Sequence, residues 1–204
     1  EIALEEMSTP LKKADAVLIA PGISLSSSAA GFVKQFVTEC TMPMVIDADA
    51  LTIISEDVEI LNRRKQGIDV ILTPHLGEFS RLSGLTTEEI RIDMFGSVSK
   101  FAEKYNVNVV LKSETSFACT PEGEIYINST GNEQLAFAGT GDVLSGTIAS
   151  LLAQSGSSET AMLCGNYLHG LLADIYFEKH GNKQSASVQE LIKLLPEAIS
   201  RILG

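Results

Sequence analysis

The chain has 204 residues, 45% hydrophobic and 20% charged, which is enough for one domain with a real core. A formal net charge of −11 argues against a general nucleic-acid binder and against a protein held to anionic lipid by charge, yet it leaves room for a nucleotide site built from local donors. No apolar stretch approaches membrane-spanning length, and the opening residues, EIALEEMSTP, do not resemble a signal peptide.

Residues 16–20 (AVLIA) form a short apolar run closed by Pro21-Gly22, which predicts a buried strand and a turn. Ser26 to Cys40 is predicted as a helix, because Ala29, Phe32, Val33 and Phe36 fall at i, i+3, i+4, i+7. Residues 43–46 (PMVI) give a second strand running into Asp47-Ala48-Asp49. Residues 69–73 (DVILT) give a third, ending at Pro74-His75-Leu76-Gly77-Glu78. Thr86 to Tyr105 is predicted as one long helix with a threonine cap and acids in its first turn. Residues 107–111 (VNVVL) give a fourth strand, ending at Lys112-Ser113. Residues 116–120 and 124–128 flank Pro121-Glu122-Gly123 as a β-hairpin. Two more helices are expected at about 157–180 and 187–203. Strands alternating with helices imply an α/β domain with a mostly parallel sheet covered on both faces. No repeat, linker or low-complexity segment divides it, so residues 1–204 read as a single domain.

Between the hairpin and the last helices lies NEQLAFAGTGDVLSGTIASLLAQ (132–154). Val143, Leu144, Ile148, Leu151 and Leu152 share a helical face, and Ala138-Gly139-Thr140-Gly141-Asp142 sits where that helix begins. A helix start leaves backbone N–H groups without partners, and with two side chains absent they can close on an anion. The alternative is a capped helix whose glycines only make the turn. In open α/β sheets, ligands sit beyond the carboxyl ends of the strands. Asp47 and Asp49, His75 and Glu78, and Lys112 all fall there. Each cluster alone reads as a solvated turn or a cap; together with the glycine turn they favour a site. There is no G-x-x-x-x-G-K-[ST], no G-x-G-x-x-G and no G-x-S-x-G. Cys40, Cys119 and Cys164 are odd in number and widely spaced, and His75, His169 and His180 lack metal-ligand spacing. Neither a disulfide framework nor a protein-held metal is expected, and a reducing cytoplasm is.

Five stretches in order, VLIAPGIS (17–24), VIDADAL (45–51), LTPHLGEFSRL (72–82), VLKSET (110–115) and residues 132–154, resemble the ribokinase-like superfamily. Within it, the chain is similar to the ADP/ATP-dependent NAD(P)H-hydrate dehydratases, the dehydratase half of bifunctional nicotinamide nucleotide repair enzymes. The resemblance implies a three-layer αβα sandwich and a homo-oligomer such as a tetramer. It also implies ADP or ATP as phosphoryl donor, with Mg²⁺ riding on the nucleotide phosphates and a hydrated NAD(P)H as substrate. In that chemistry Asp142 is the general base and the N–H groups of Gly139, Thr140 and Gly141 form the anion hole. The implied substrate contacts are Gly22, Ser24, Asp49, His75, Gly77, Glu78, Phe79, Arg81 and Asp142. The implied nucleotide contacts are Lys112, Ser113, Glu114, Thr115, Ser116, Asn132, Ala138, Gly139, Thr140 and Gly141. Asp47 and Asp49 either orient Mg²⁺ through water or cap the helix that follows. Arg81 is either a phosphate partner or a helix-surface charge.

Two departures from the family pattern stand out. Ser24 replaces the last glycine of the turn after the first strand, and family members carry a further segment before the first stretch, which this chain is expected to lack. Two rivals remain: a small-molecule kinase of the same superfamily acting on a thiazole or pyrimidine alcohol, and a non-catalytic nucleotide-binding domain.

Overall fold

The computed structural model describes residues 13–19, 22–181 and 186–204. The four apolar runs become β1 (Val17–Ile19), β2 (Met44–Ile46), β3 (Val70–Leu72) and β4 (Asn108–Leu111). They pair in parallel, each beside the next in the chain, with Leu18 opposite Val45 and Val45 opposite Ile71. Every residue of β2, β3 and β4 is buried, as strands covered on both faces must be. The expected hairpin follows as β5 (Phe117–Cys119) and β6 (Ile125–Ile127), which extend the sheet antiparallel. Gly123 turns it at φ +85°, donating its N–H to Thr120 O at 2.9 Å.

Parallel strands laid down in chain order, with crossovers of one hand, put every crossover on one face. That face carries α1 (Ser27–Glu39), α2 (Asp49–Ser55), α3 (Leu76–Ser83), α4 (Thr87–Ile92) and α5 (Met94–Tyr105). Their Phe36, Leu51, Phe79 and Phe101 share one core with Met44, Leu72, Val109 and Phe117 of the sheet. The opposite face is left to α6 (Thr140–Ser155) and α7 (Ser158–His180), whose Leu144, Ile148 and Met162 pack on Val45, Ile71 and Val110. The two helices pack so closely that a Cβ on Gly165 would collide with Ile148. Finally, α8 (Val188–Lys193) and α9 (Leu195–Leu203) close over α7 around Tyr176, Leu191 and Ala198. Each fully buried Leu, Ile or Phe contributes about 1.5–3 kcal/mol relative to exposure, so the sheet is fixed from both sides.

Two expected helices are each two in the structure. The stretch Thr86–Tyr105 breaks at Asp93 (φ −136°, ψ 69°), whose carboxylate accepts the Gly96 N–H at 3.0 Å and starts α5 afresh. A side chain on Gly96 would collide with that carboxylate, so the aspartate and the glycine make the cap together. The stretch 187–203 breaks at Leu194, with proline in the first turn of α9, where its missing N–H costs nothing. The first apolar run was expected over 16–20; Ala20 and the following Pro21 lie outside the described residues.

Candidate active site

The strand ends converge as polar side chains. Asp47, directly after β2, is 1% exposed, and its Oδ1 accepts both the Ala48 N–H at 2.9 Å and Lys112 Nζ at 2.8 Å. Lys112 follows β4 and donates its backbone N–H to Pro74 O at 2.8 Å, which carries the β3–β4 pairing past the strands. Glu78 on α3, also buried, brings Oε2 to 4.0 Å from Lys112 Nζ, an ion pair by distance without a hydrogen bond. A buried carboxylate must be paired, and Lys112 answers that need for Asp47. Lys112 is therefore not a solvated lysine: its side chain is only 22% exposed and anchored in the floor of the site.

The His75 segment is a capping device. His75 Nδ1 accepts the N–H groups of Gly77 (3.0 Å) and Glu78 (3.3 Å), while Glu78 Oε2 accepts the His75 N–H at 2.8 Å. This leaves the imidazole exposed, with Nε2 at 3.4 Å from Glu78 Oε1. A second group forms after β1. Asp49 Oδ2 accepts the N–H groups of Gly22 and Ser24 at 3.2 Å each. Ser24 is held at φ +75° and Ala48 at φ +51°, left-handed conformations that favour glycine. The replacement of glycine by Ser24 is thus a change at a position where the backbone wants none. Asp47 and Asp49 are both engaged by protein donors, and no group of three metal-ligating side chains occurs among the described residues.

Helix α6 opens the third side. Six helices, α1, α3, α4, α5, α7 and α8, have a side chain capping their first turn. Helix α6, like α2 and α9, has none: its cap residue is Gly139 at φ +95°, where a Cβ would also press on Val188 at 2.8 Å. A Cβ on Gly141 would lie 3.3 Å from Lys112 Nζ, so the turn and the lysine are neighbours. The Asp142 carboxylate, one residue on, is exposed and has no hydrogen-bond or ion-pair partner among the described residues.

These elements enclose a cleft of about 800 Å³ lined by Lys112–Ser116, the 128–133 loop, Thr140, Gly141, Asn166 and His169. It unites Lys112, Ser113, Glu114, Thr115, Ser116, Asn132, Thr140 and Gly141 of the expected nucleotide contacts; Ala138 is exposed beside it. None of the nine expected substrate contacts lines this cleft, and two of them, Phe79 and Arg81, face other parts of the molecule. Phe79 is fully buried, edge-on to Phe101 with ring centroids 5.3 Å apart, because the core face of α3 claims its ring. Arg81 is exposed and reaches Thr52 of α2 at 3.4 Å.

Helix α7 supplies what the sequence reading missed. Asn166, His169, Gly170 and Asp174 recur at i, i+3, i+4, i+8, a polar and small stripe on a largely buried helix that could have signalled it. Asp174 accepts the Gly131 N–H (3.0 Å) and Asn132 Nδ2 (2.8 Å), and Asn166 O accepts Asn128 Nδ2 (3.1 Å). His169 is 8% exposed, with Nε2 at 2.9 Å from Thr140 O. Burial holds its pKa down at about 4, with the Lys112 charge adding to the effect against the Thr140 hydrogen bond.

The family described as NAD(P)H-hydrate dehydratase matches residues 3–197. This chain belongs to that family. The ADP-dependent (S)-NAD(P)H-hydrate dehydratase of Neisseria meningitidis serogroup B is 39% identical over 89% of the chain; the match spans 62% of that protein's length. The ADP/ATP-dependent NAD(P)H-hydrate dehydratase of Bacillus subtilis, co-crystallised with ATP/Mg²⁺ and soaked with CoA, superposes with a TM-score of 0.80 at 30% identity. It covers 94% of this chain and 70% of that one. A ribokinase-like superfamily protein of Enterococcus faecalis V583 superposes at 0.79 with 26% identity, covering 97% and 67%. The fold of this dehydratase-family chain is accordingly the ribokinase-like three-layer sandwich, as its motifs led one to expect.

Proposed function

We propose that this chain carries out the ADP- or ATP-dependent dehydration of the hydrated nicotinamide of NAD(P)H, regenerating NADH or NADPH. The observation that carries the reading is the start of α6, which lacks a side-chain cap and lies beside Lys112 at the edge of the cleft, with the next residue's carboxylate exposed and without a partner among the described residues. Phosphoryl transfer needs an anion-binding turn, a cation and a base within reach of one hydroxyl. Asp142 takes the proton of the C6 hydroxyl as its oxygen bonds to the terminal phosphorus of the nucleotide. The P–O bond to the leaving nucleotide breaks, and the N–H groups of Gly139, Thr140 and Gly141 stabilise the charge on the transferring group. Phosphate is a far better leaving group than hydroxide. The ring-nitrogen lone pair expels it from C6, and loss of a C5 proton restores the dihydronicotinamide. Mg²⁺ bound with the nucleotide would screen the phosphate charge.

Lys112, Ser113, Glu114, Thr115, Ser116, Asn132 and Ala138 we assign to the nucleotide side. Gly22, Ser24, Asp49, His75, Gly77, Glu78 and Arg81 we assign to the dinucleotide side, with Phe79 shaping that wall from the core. The names of the Neisseria and Bacillus relatives support this reaction over a kinase acting on a thiazole or pyrimidine alcohol. We also propose a cytoplasmic location, which the free cysteines suit, and a homo-oligomer, which the exposed apolar residues of β6 and α9 suit.

The test is incubation with the S hydrate and ADP or ATP, following the absorbance of reduced nicotinamide. Restored absorbance with stoichiometric phosphate release is expected. A stable phosphorylated product would favour the kinase, and nucleotide binding without turnover would favour a non-catalytic domain.

A further inference from the structure

Among the buried titratable groups that the proposed reaction does not use, the His169 side chain lines the cleft. Its position has a direct consequence for the anion-binding turn. A carbonyl oxygen only accepts hydrogen bonds, so the 2.9 Å contact to Thr140 O requires the proton on Nε2. The carbonyl of Thr140 and the N–H of Gly141 belong to one trans peptide unit, whose C=O and N–H point in opposite directions. A donor holding the carbonyl from one side therefore fixes where the N–H points on the other.

We propose that His169 is a positioning residue that aims the Gly141 N–H into the anion hole by anchoring the Thr140 carbonyl. The inference rests on the phosphoryl transfer proposed above.

The surroundings are built for this task. Thr140 Oγ1 donates to Leu135 O (2.8 Å) and Phe137 O (3.0 Å), so the residue is pinned from its side chain as well. Next to His169, Gly170 lets the Thr130 backbone lie directly on α7, where a Cβ would collide with it. The Thr130 hydroxyl donates to Tyr167 O at 2.7 Å. One helix thus sets both walls of the cleft, the 128–132 loop by its backbone and Asp174, and the glycine turn by His169. Hydrogen bonding at the carbonyl also polarises the peptide, which strengthens its N–H as a donor. Because burial keeps the imidazole neutral at physiological pH, it anchors the turn without adding a charge to it.

The test compares wild type with two donor-free variants, His169→Leu and His169→Met, and with His169→Gln, whose amide can donate from nearly the same place. Affinity for ADP is measured alone and with aluminium fluoride, which mimics the transferring phosphoryl group and needs no dinucleotide. Wild type is expected to bind ADP more tightly with the fluoride. The donor-free variants should keep ADP affinity within about threefold and lose about tenfold or more of the tightening and of kcat, and His169→Gln should recover most of both. Full tightening in a folded donor-free variant overturns the proposal. So does failure of both donor-free variants to fold, since His169 would then serve the fold as a whole. Tightening in wild type without turnover of the hydrate overturns the proposed reaction while the comparison of variants still reads His169. Absence of tightening in wild type overturns the anion hole and the role of His169 with it.

Discussion

Helix α7 has a concave surface on each side, and the two differ in everything but their shared wall. Asn128, Ser129 and Asn166 line both. On one side lies the cleft of about 800 Å³, with Lys112, the Thr130–Asn132 loop, Gly141 and His169. On the other lies a groove of about 440 Å³ between β6, α7 and α9, lined by Ile127, Leu163, Tyr167, Ile199, Ile202 and Leu203. By apolarity alone the groove would be the ligand site, since pockets for small molecules are mostly apolar. Phosphoryl transfer asks for something else: backbone donors without internal partners, a cation already desolvated and a carboxylate left free. The cleft supplies the first two through Gly141 and Lys112, and the exposed Asp142 carboxylate follows Gly141 in the chain. The groove has what a protein contact needs, large exposed side chains such as Ile202 (50%) and Leu203 (79%).

The contrast can be broken most sharply at Asp142. Asp142→Asn is expected to lower kcat by roughly 10²–10⁴-fold, the usual worth of a general base, with thermal stability lowered only slightly, because the exposed carboxylate has no hydrogen-bond or ion-pair partner among the described residues and loses only its first-turn interaction with the helix dipole. Turnover within a few-fold of wild type would remove the base from the mechanism. Next comes Lys112→Met, which strands buried Asp47 without its cation. It should cost on the order of 3 kcal/mol in urea unfolding and weaken nucleotide binding, a double effect that no groove residue shares. Unchanged stability would mean that Asp47 finds another donor.

The third effect is one of pH. Between the ordinary histidine value of 6.5 and the depressed value of about 4, the unfolded chain takes up a proton at His169 that the folded chain refuses. Stability is therefore present above that window and lost as pH falls through it, at most about 1.4 kcal/mol per unit. Thermal unfolding from pH 7 to 4 should fall less steeply for His169→Gln than for wild type; parallel curves would show that the imidazole titrates normally. Smallest is the effect of Ile202→Glu in the groove. Turnover should stay within about twofold, as for an exposed substitution remote from the chemistry, while any assembly seen by light scattering shifts to smaller species. A loss of turnover without a change in size would tie the groove to catalysis and end the contrast.

Much of the molecule was legible before folding. The four parallel strands, the hairpin at Pro121-Glu122-Gly123 and the polar strand ends follow from apolar runs and turn residues, whose meaning is local. The break at Asp93 was legible too, in an aspartate three residues before a glycine, but a continuous apolar period concealed it. Phe79 shows the limit of reading by motif. It lies within a polar stretch, yet its ring turns to the core because α3 has only one apolar face to bury.

The sequence by itself determined the α/β architecture, the glycine turn ahead of α6 and the acid beside it, because helix starts and strand ends are written in neighbouring residues. Only the tertiary structure decided that Lys112 is tied to Asp47, 65 positions away, and that His169 reaches back 29 positions to the Thr140 carbonyl. Those pairings arise from how the strands order themselves and how α7 lies over them. No local pattern encodes that geometry, since partners distant in sequence are brought together by burial of the two sheet faces.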